Sequence, residues 1–275
     1  MDLTGKLEIV NISDTGRKRP HNEDSTISDP RMGFAVLADG MGGYKAGEVA
    51  SAIAVNTVLN HVRDGLKQIR RIGLVDEQTG LTTESLLLRD AVTEANDHIF
   101  RTANTESLCH GMGTTVVSVL FYDNRVSIAH VGDSRLYRLR NGVFEQVTLD
   151  HSLVQELVNR GFFTKEEALV NTPKNLVTRA LGIEEQVEVD VQEELALPGD
   201  IYLMCTDGLN DMISDEEIHL TLSKYSANLV QAARELIRIA NANGGKDNIS
   251  VVLVRPLASF PAGAGWWSRL TGWFS

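Results

Sequence analysis

The chain has 275 residues, 43% of them hydrophobic, which suits one large domain with a substantial core. Its 37 acidic residues outnumber 26 basic ones for a formal charge of -11, which excludes a protein that tracks the phosphate backbone of nucleic acid. No apolar run approaches the roughly 20 residues of a spanning helix, the N-terminus lacks the apolar region of a signal peptide, and Cys109 and Cys205 form no Cys-x-x-Cys motif, so a soluble, reduced, cytoplasmic protein is expected.

In chain order, residues 7–12 and 33–38 read as strands, separated by a basic turn region around Arg17, Lys18 and Arg19. A helix begins near Ala46, with Val49, Ile53, Thr57 and Val58 expected on one face beside Ala50 and Ala54. Leu88, Ala91, Val92, Ala95 and Ile99 repeat that spacing in a second helix, after a polar connection over 63–83. Short strands follow at 116–121, 126–131, 134–140 and 143–148, the last two joined by Asn141-Gly142, a type I′ hairpin signal. Residues 151–182 interrupt the strands with helical fragments, including the capping box Thr164 to Glu167, and read as a flap beside a site. Strands at 187–191 and 201–206, a second capping box from Ser214 to Glu217, a helix over 228–242 and a strand over 249–255 complete the series. Helices and hairpin-linked strands arriving in runs predict an α+β fold, two mostly antiparallel sheets flanked by helices.

Three of these strands carry an acid at one end: Asp39 follows 34–38, Asp207 follows 201–206, and Asp247 precedes 249–254. A fourth acidic motif, Glu23-Asp24, stands four residues after Arg19. Like charges about 4 Å apart repel by roughly 4 kcal/mol at an effective dielectric near 20, so gathered carboxylates need counter-charge. Oxygen ligands alone select hard cations, Mg²⁺ or Mn²⁺ rather than zinc. Two such ions sharing a carboxylate can hold a water, lower its pKa and direct it at phosphorus, while Arg19 grips the phosphate with a planar fork. Any single Asp-Gly pair is more often a turn at a strand end; the joint arrangement carries the reading.

The ordered motifs Arg19-x-x-Asn22-Glu23-Asp24, Val36 to Gly43, Gly111 to Thr115, Val131 to Arg135, Thr148 to Ser152, Cys205 to Gly208 and Asp247-Asn248 resemble the metal-dependent protein phosphatases of type 2C in their bacterial form. The resemblance implies a four-layer α-β-β-α sandwich and hydrolysis of phosphoserine and phosphothreonine by a metal-bridging water. It implies that Asp39 bridges two catalytic ions, with the Gly40 carbonyl and Glu23 on one side, Asp207 and Asp247 on the other, and Asp24 a close supporting acid. Asp133 matches an acid that binds a third ion with Asp207 in bacterial members, although a turn role for it stays open. Arg19 matches the phosphate-binding arginine. Met41 stands where animal relatives have a histidine that protonates the leaving alkoxide, leaving metal-bound water or His21 as donor.

The catalytic domain is expected to span 1–255, followed by a Gly/Ala linker and a tail at 256–275 that holds all three tryptophans, Trp266, Trp267 and Trp273. The tail reads as self-packing or partner-docking. Phosphorylated proteins, among them a cognate Ser/Thr kinase, are the expected partners, and the protein is expected to be a monomer. A non-catalytic module of the same fold and a phosphatase of small metabolites are the alternatives.

Overall fold

The computed structural model describes residues 2–43, 46–173 and 176–262; positions 263–275, which hold the three tryptophans, lie outside them. In chain order the strands are β1 (Leu7–Asp14), β2 (Asp24–Asp29), β3 (Phe34–Met41), β4 (Gly113–Thr114), β5 (Val116–Tyr122), β6 (Arg125–Val131), β7 (Arg135–Arg140), β8 (Val143–Gln146), β9 (Asp190–Leu195), β10 (Ile201–Cys205) and β11 (Ile249–Pro256). The helices are α1 (Ala46–Leu66), α2 (Thr83–Thr105), α3 (Leu153–Asn159), α4 (Lys165–Asn171), α5 (Asp207–Asn210), α6 (Asp215–Lys224) and α7 (Leu229–Ala242). One sheet runs β1-β11-β10-β7-β8 and the other β2-β3-β5-β6-β9, with β4 paired to β3. Neighbouring strands are antiparallel throughout the described residues.

Three cores make four layers. Along β3 and β5, alternate residues Phe34, Val36, Val116 and Leu120 pack under α1 and α2. Ala35, Leu37, Val117 and Val119 point the other way and meet Met204, Val252 and Val254 of the second sheet. That sheet turns Leu203, Cys205, Val251 and Leu253 onto α6 and α7. Sheets covered on both faces need strands apolar at every position, which is why these runs show no polar alternation. The α+β sandwich expected from the sequence is the fold observed.

Some elements depart from the sequence reading. Strand β2 was not anticipated, because Asp24-Ser-Thr-Ile-Ser-Asp29 carries one large apolar residue; its register against β3, from Asp24 opposite Asp39 to Asp29 opposite Phe34, makes it a strand. The strand expected at 187–191 begins at Asp190 and runs to Leu195, as β9 on β6. Helix α1 buries Ala46, Ala50, Ala54, Val55, Val58 and Val62, so Ala50, Ala54 and Val58 of the expected face point inward while Val49 is exposed. Small residues let α1 lie close to the sheet. Both capping boxes are formed, with Thr164 and Ser214 each accepting from the N3 amide while Glu167 and Glu217 reach back. No helix of the described residues is long and apolar enough to cross a membrane.

Candidate metal and phosphate site

The acids converge because several chain segments end at the same edge of the sandwich. Asp39 lies near the end of β3, and Asp24 opens β2 directly opposite it. On the other sheet, β10 gives way to Asp207, the first residue of α5, and Asp247 stands two residues before β11. The Thr206 amide donates to the Ser250 carbonyl at 3.2 Å, which holds the Asp207 and Asp247 segments side by side. At Gly208 a Cβ would meet the Asn248 carbonyl oxygen at 2.0 Å, so only glycine permits that approach.

Asn248 ties the remaining segment in. Its side-chain oxygen accepts from the Glu23 amide at 2.8 Å, and its side-chain nitrogen donates to the carbonyls of Thr15 at 3.0 Å and His21 at 2.9 Å. The loop carrying Arg19 and Glu23 is thereby fixed against the acid that precedes β11. Asp39 is anchored through its backbone: its amide donates to Thr115 Oγ1 at 3.1 Å, and its carbonyl accepts from the Thr115 amide and the Thr114 hydroxyl.

A cavity of about 210 Å³ results, lined by Arg19, Glu23, Asp39, Gly40, Met41, Gly42, Thr115, Asp133, Val177, Asp207 and Asp247. Every residue expected at the site lines it except Asp24, which is buried behind it. Asp24 Oδ2 accepts from the Ser250 hydroxyl at 2.6 Å and the Thr206 hydroxyl at 3.1 Å. Asp133, Asp207 and Asp247 also line an adjoining cleft of about 480 Å³, with Arg135, Asp150 and Lys246. Met41 faces the cavity, whereas His21 is not among its lining residues. A larger groove of about 1280 Å³ lies between α1 and α2 and holds none of the expected site residues, so volume alone does not locate the chemistry.

Burial and mutual repulsion govern the electrostatics. Burial, then the charges of Asp24, Asp207, Asp133 and Asp247, push the Asp39 carboxyl well above the usual range. Burial, then Asp133, Asp247 and other neighbouring acids, push Asp207 up to about 8. Burial takes Asp24 and Asp133 each to about 6, and it raises Glu23 as well. Arg19 donates to Asp247 Oδ2 at 2.6 Å, which offsets part of the charge. Asp24 Oδ1 and Asp207 Oδ1 are buried acceptors with no donor. The partnerless Asp207 oxygen, in a cavity walled by further carboxylates and backed by Asp24, fits a hard divalent cation. The residues that would hold such ions are Asp39, Asp207 and Asp247, with Glu23, the Gly40 carbonyl and Asp133 at the rim.

A family model for protein phosphatase 2C matches residues 17–253. The chain belongs to the protein phosphatase 2C family. It is 40% identical over 247 residues to the serine/threonine phosphatase stp of Listeria monocytogenes, covering 88% of this chain and 93% of that one. It is also 40% identical over 252 residues to PstP of Mycobacterium tuberculosis, which spans 91% of this chain and 45% of that longer protein. A crystal structure of the Mycobacterium tuberculosis PstP superimposes with a TM-score of 0.79 at 38% identity, covering 91% of this chain and 98% of that one. The catalytic domain of PstP in complex with two manganese ions gives a TM-score of 0.76 at 38% identity, with the same coverage. The chain is accordingly a phosphatase of this family.

The sequence reading singled out the acids and missed what holds them. Asn248 follows Asp247 in the last of the ordered motifs with nothing to mark its bridging role, and Thr206, Ser250 and Thr115 carry no signal beyond their place at strand ends. Gly40 is constrained more severely than its place in Asp-Gly implies. A Cβ there would meet the Gly47 carbonyl oxygen at 2.0 Å and the Glu23 carbonyl oxygen at 2.6 Å. Gly40→Ala must push α1 away from the Glu23 loop, so a stability loss of about 3 kcal/mol is expected together with weakened metal binding. Urea unfolding and calorimetric Mn²⁺ titration check this, and wild-type values for both would refute the close-contact account.

Proposed function

We propose that this chain removes phosphate from phosphoserine and phosphothreonine of protein substrates in the cytoplasm, opposite a Ser/Thr kinase. The observation that carries the reading is the cavity itself, where the carboxylates of Asp39, Asp207 and Asp247, one Asp207 oxygen buried without a donor, stand beside one exposed arginine fork. The relatives support the substrate class, since stp and PstP carry serine/threonine phosphatase in their names.

Arg19 is the phosphate-binding group in this reading. Its side chain is 49% exposed and pairs with Asp247, whose side chain is 32% exposed, so the guanidinium can turn to an incoming phosphoryl group without leaving a buried charge behind. Asp39, Asp207 and Asp247 are the principal metal ligands, Glu23 and Gly40 serve the opposite side, and Asp133 with Asp207 serves a third position facing the adjoining cleft. Bound divalent ions would lower the pKa of a water molecule and offset charge on the phosphoryl group. Asp24 acts behind them, its carboxylate fixed by Thr206 and Ser250. Met41 carries no ionisable proton and His21 does not line the cavity, so neither side chain is placed to protonate the leaving alkoxide.

The test is a steady-state assay with a phosphothreonine peptide, a free phosphoamino acid and a nucleotide, each with Mn²⁺ and after chelation. Hydrolysis of the peptide in preference to the small phosphates, abolished by chelator and restored by Mn²⁺, is expected. Equal rates in excess chelator would remove the metal mechanism, and preference for the small phosphates would make it a metabolite phosphatase.

A further inference from the structure

The segment at 151–182 leaves and rejoins the sandwich through a narrow stem. The Leu153 amide donates to the Leu176 carbonyl at 2.9 Å and the Thr178 amide to the His151 carbonyl at 2.8 Å, with Ser152 bridged to Val177 between them. Val177 is a wall of the acidic cavity, while Ser152 and Val154 line the adjoining cleft. Whatever fixes the stem therefore fixes one side of both hollows.

At its base stands a polar group that the phosphatase chemistry does not use. His151 and Gly132 exchange two hydrogen bonds: the His151 amide donates to the Gly132 carbonyl at 2.9 Å, and the Gly132 amide donates to His151 Nδ1 at 3.0 Å. Because Nδ1 accepts, the neutral ring carries its proton on Nε2, which faces Asp190 Oδ2 at 3.3 Å. Arg179, one residue beyond the stem, donates to Asp190 Oδ1 at 2.7 Å and to the Glu188 carbonyl at 3.2 Å. The His130 ring stacks on His151 with centroids 4.7 Å apart and is held in turn by its Nε2 contact with the Leu149 carbonyl at 2.9 Å. Burial lowers the pKa of both imidazoles, which keeps them neutral near pH 7.

Ligand-type atoms of His130, His151 and Asp190 lie within 4.8 Å of one another, a grouping that would suit a transition metal in isolation. The Arg179 guanidinium, 3.1 Å from His151 Nε2 and bonded to the same carboxylate, already supplies the positive charge there. The group is a clamp built from the chain's own charges. It joins both ends of the stem to β9, and through Gly132 to the turn that carries Asp133.

We propose that Asp190 and Arg179 are positioning residues for polypeptide substrates, locking His151 so that the 151–182 stem holds Val177, Ser152 and Val154 at the spacing a phosphorylated peptide requires. A small phosphomonoester needs only the acidic cavity, where Val177 is the one wall the stem supplies, whereas a phosphorylated peptide also extends along the cleft lined by Ser152 and Val154. The clamp therefore governs discrimination by substrate size while leaving the metal ligands untouched.

The experiment compares KM and kcat for a phosphothreonine peptide and for p-nitrophenyl phosphate in wild type, Asp190→Ala, Arg179→Gln and the conservative Asp190→Glu, all with saturating Mn²⁺. For Asp190→Ala and Arg179→Gln, peptide KM is expected to rise about five- to tenfold with kcat and p-nitrophenyl phosphate turnover within about twofold of wild type, and Asp190→Glu to recover most of the loss. Hydrogen exchange at the Leu153 and Thr178 amides should quicken in the same variants while the amides of Val117 to Leu120 stay protected. Equal losses on both substrates, or an unchanged peptide KM, would overturn the proposal. Should Asp190→Ala not fold, Arg179→Gln decides it alone, and unaltered stem exchange in that variant would overturn it equally.

Discussion

Asp207→Asn is expected to lower turnover of a phosphothreonine peptide at least about a thousandfold, about 4 kcal/mol of transition-state stabilisation, while the protein stays folded. Asp207 is half-buried, lines both hollows and has one buried oxygen with no donor. Asparagine preserves its shape but removes the charge and places an amide N–H₂ among carboxylates, so cation affinity falls at the position common to the two hollows. The same change removes a carboxyl that repulsion and burial raise to about 8, so the metal-free variant should unfold at a temperature no lower than wild type. Kinetics, calorimetric Mn²⁺ titration and thermal unfolding of the chelated proteins together separate this from simple unfolding. Full activity in a folded Asp207→Asn protein would remove Asp207 from the metal site.

The second large effect concerns the chelated protein and pH. Folding raises the carboxyls of Asp24, Asp133 and Asp207 from 3.8 to about 6, about 6 and about 8. A raised carboxyl pKa means that the folded state binds the proton more tightly than the unfolded one. Its stabilising contribution is therefore complete below about pH 4 and is lost as pH climbs through those values toward 8. Chelated wild type should lose about 5–10 °C of unfolding temperature between about pH 5.5 and pH 8, and Asp207→Asn should lose less. Millimolar Mn²⁺ should raise the temperature most at the alkaline end, because cations bind the deprotonated carboxylates and only in the folded protein. A chelated protein as stable at pH 8 as at pH 5.5 would show that the acids do not repel one another as their burial implies.

What the sequence made legible follows from which interactions are local. The acids at strand ends, the hairpin at Asn141-Gly142 and the two capping boxes each need only neighbours in the chain, and all were readable. Strand β2 was not, although its partner β3 follows closely, because its own residues are too polar to announce a strand. On α1 the expected face holds except at Val49, which points outward while the small Ala46, Ala50 and Ala54 take the close approach to β3. The supporting side chains of the site were invisible for a related reason. Asn248, Thr206 and Ser250 matter through partners up to 233 positions distant, and a polar residue at a strand end looks the same whether it caps a turn or bridges two sheets.

The pairing of β1 with β11, from Leu7 opposite Pro256 to Asp14 opposite Ile249, bears on how the enzyme comes into being. During synthesis, β11 emerges from the ribosome after every other strand, and until then β1 and β10 each lack the neighbour that lies between them. The first sheet therefore closes last, by joining segments more than two hundred residues apart, the slow and non-local kind of step. Asp247 and Asn248 arrive with that same strand. On the proposed ligand set, a chain lacking β11 would hold the other acids without Asp247, so full cation affinity, and catalytic power with it, would come only once that strand is in place.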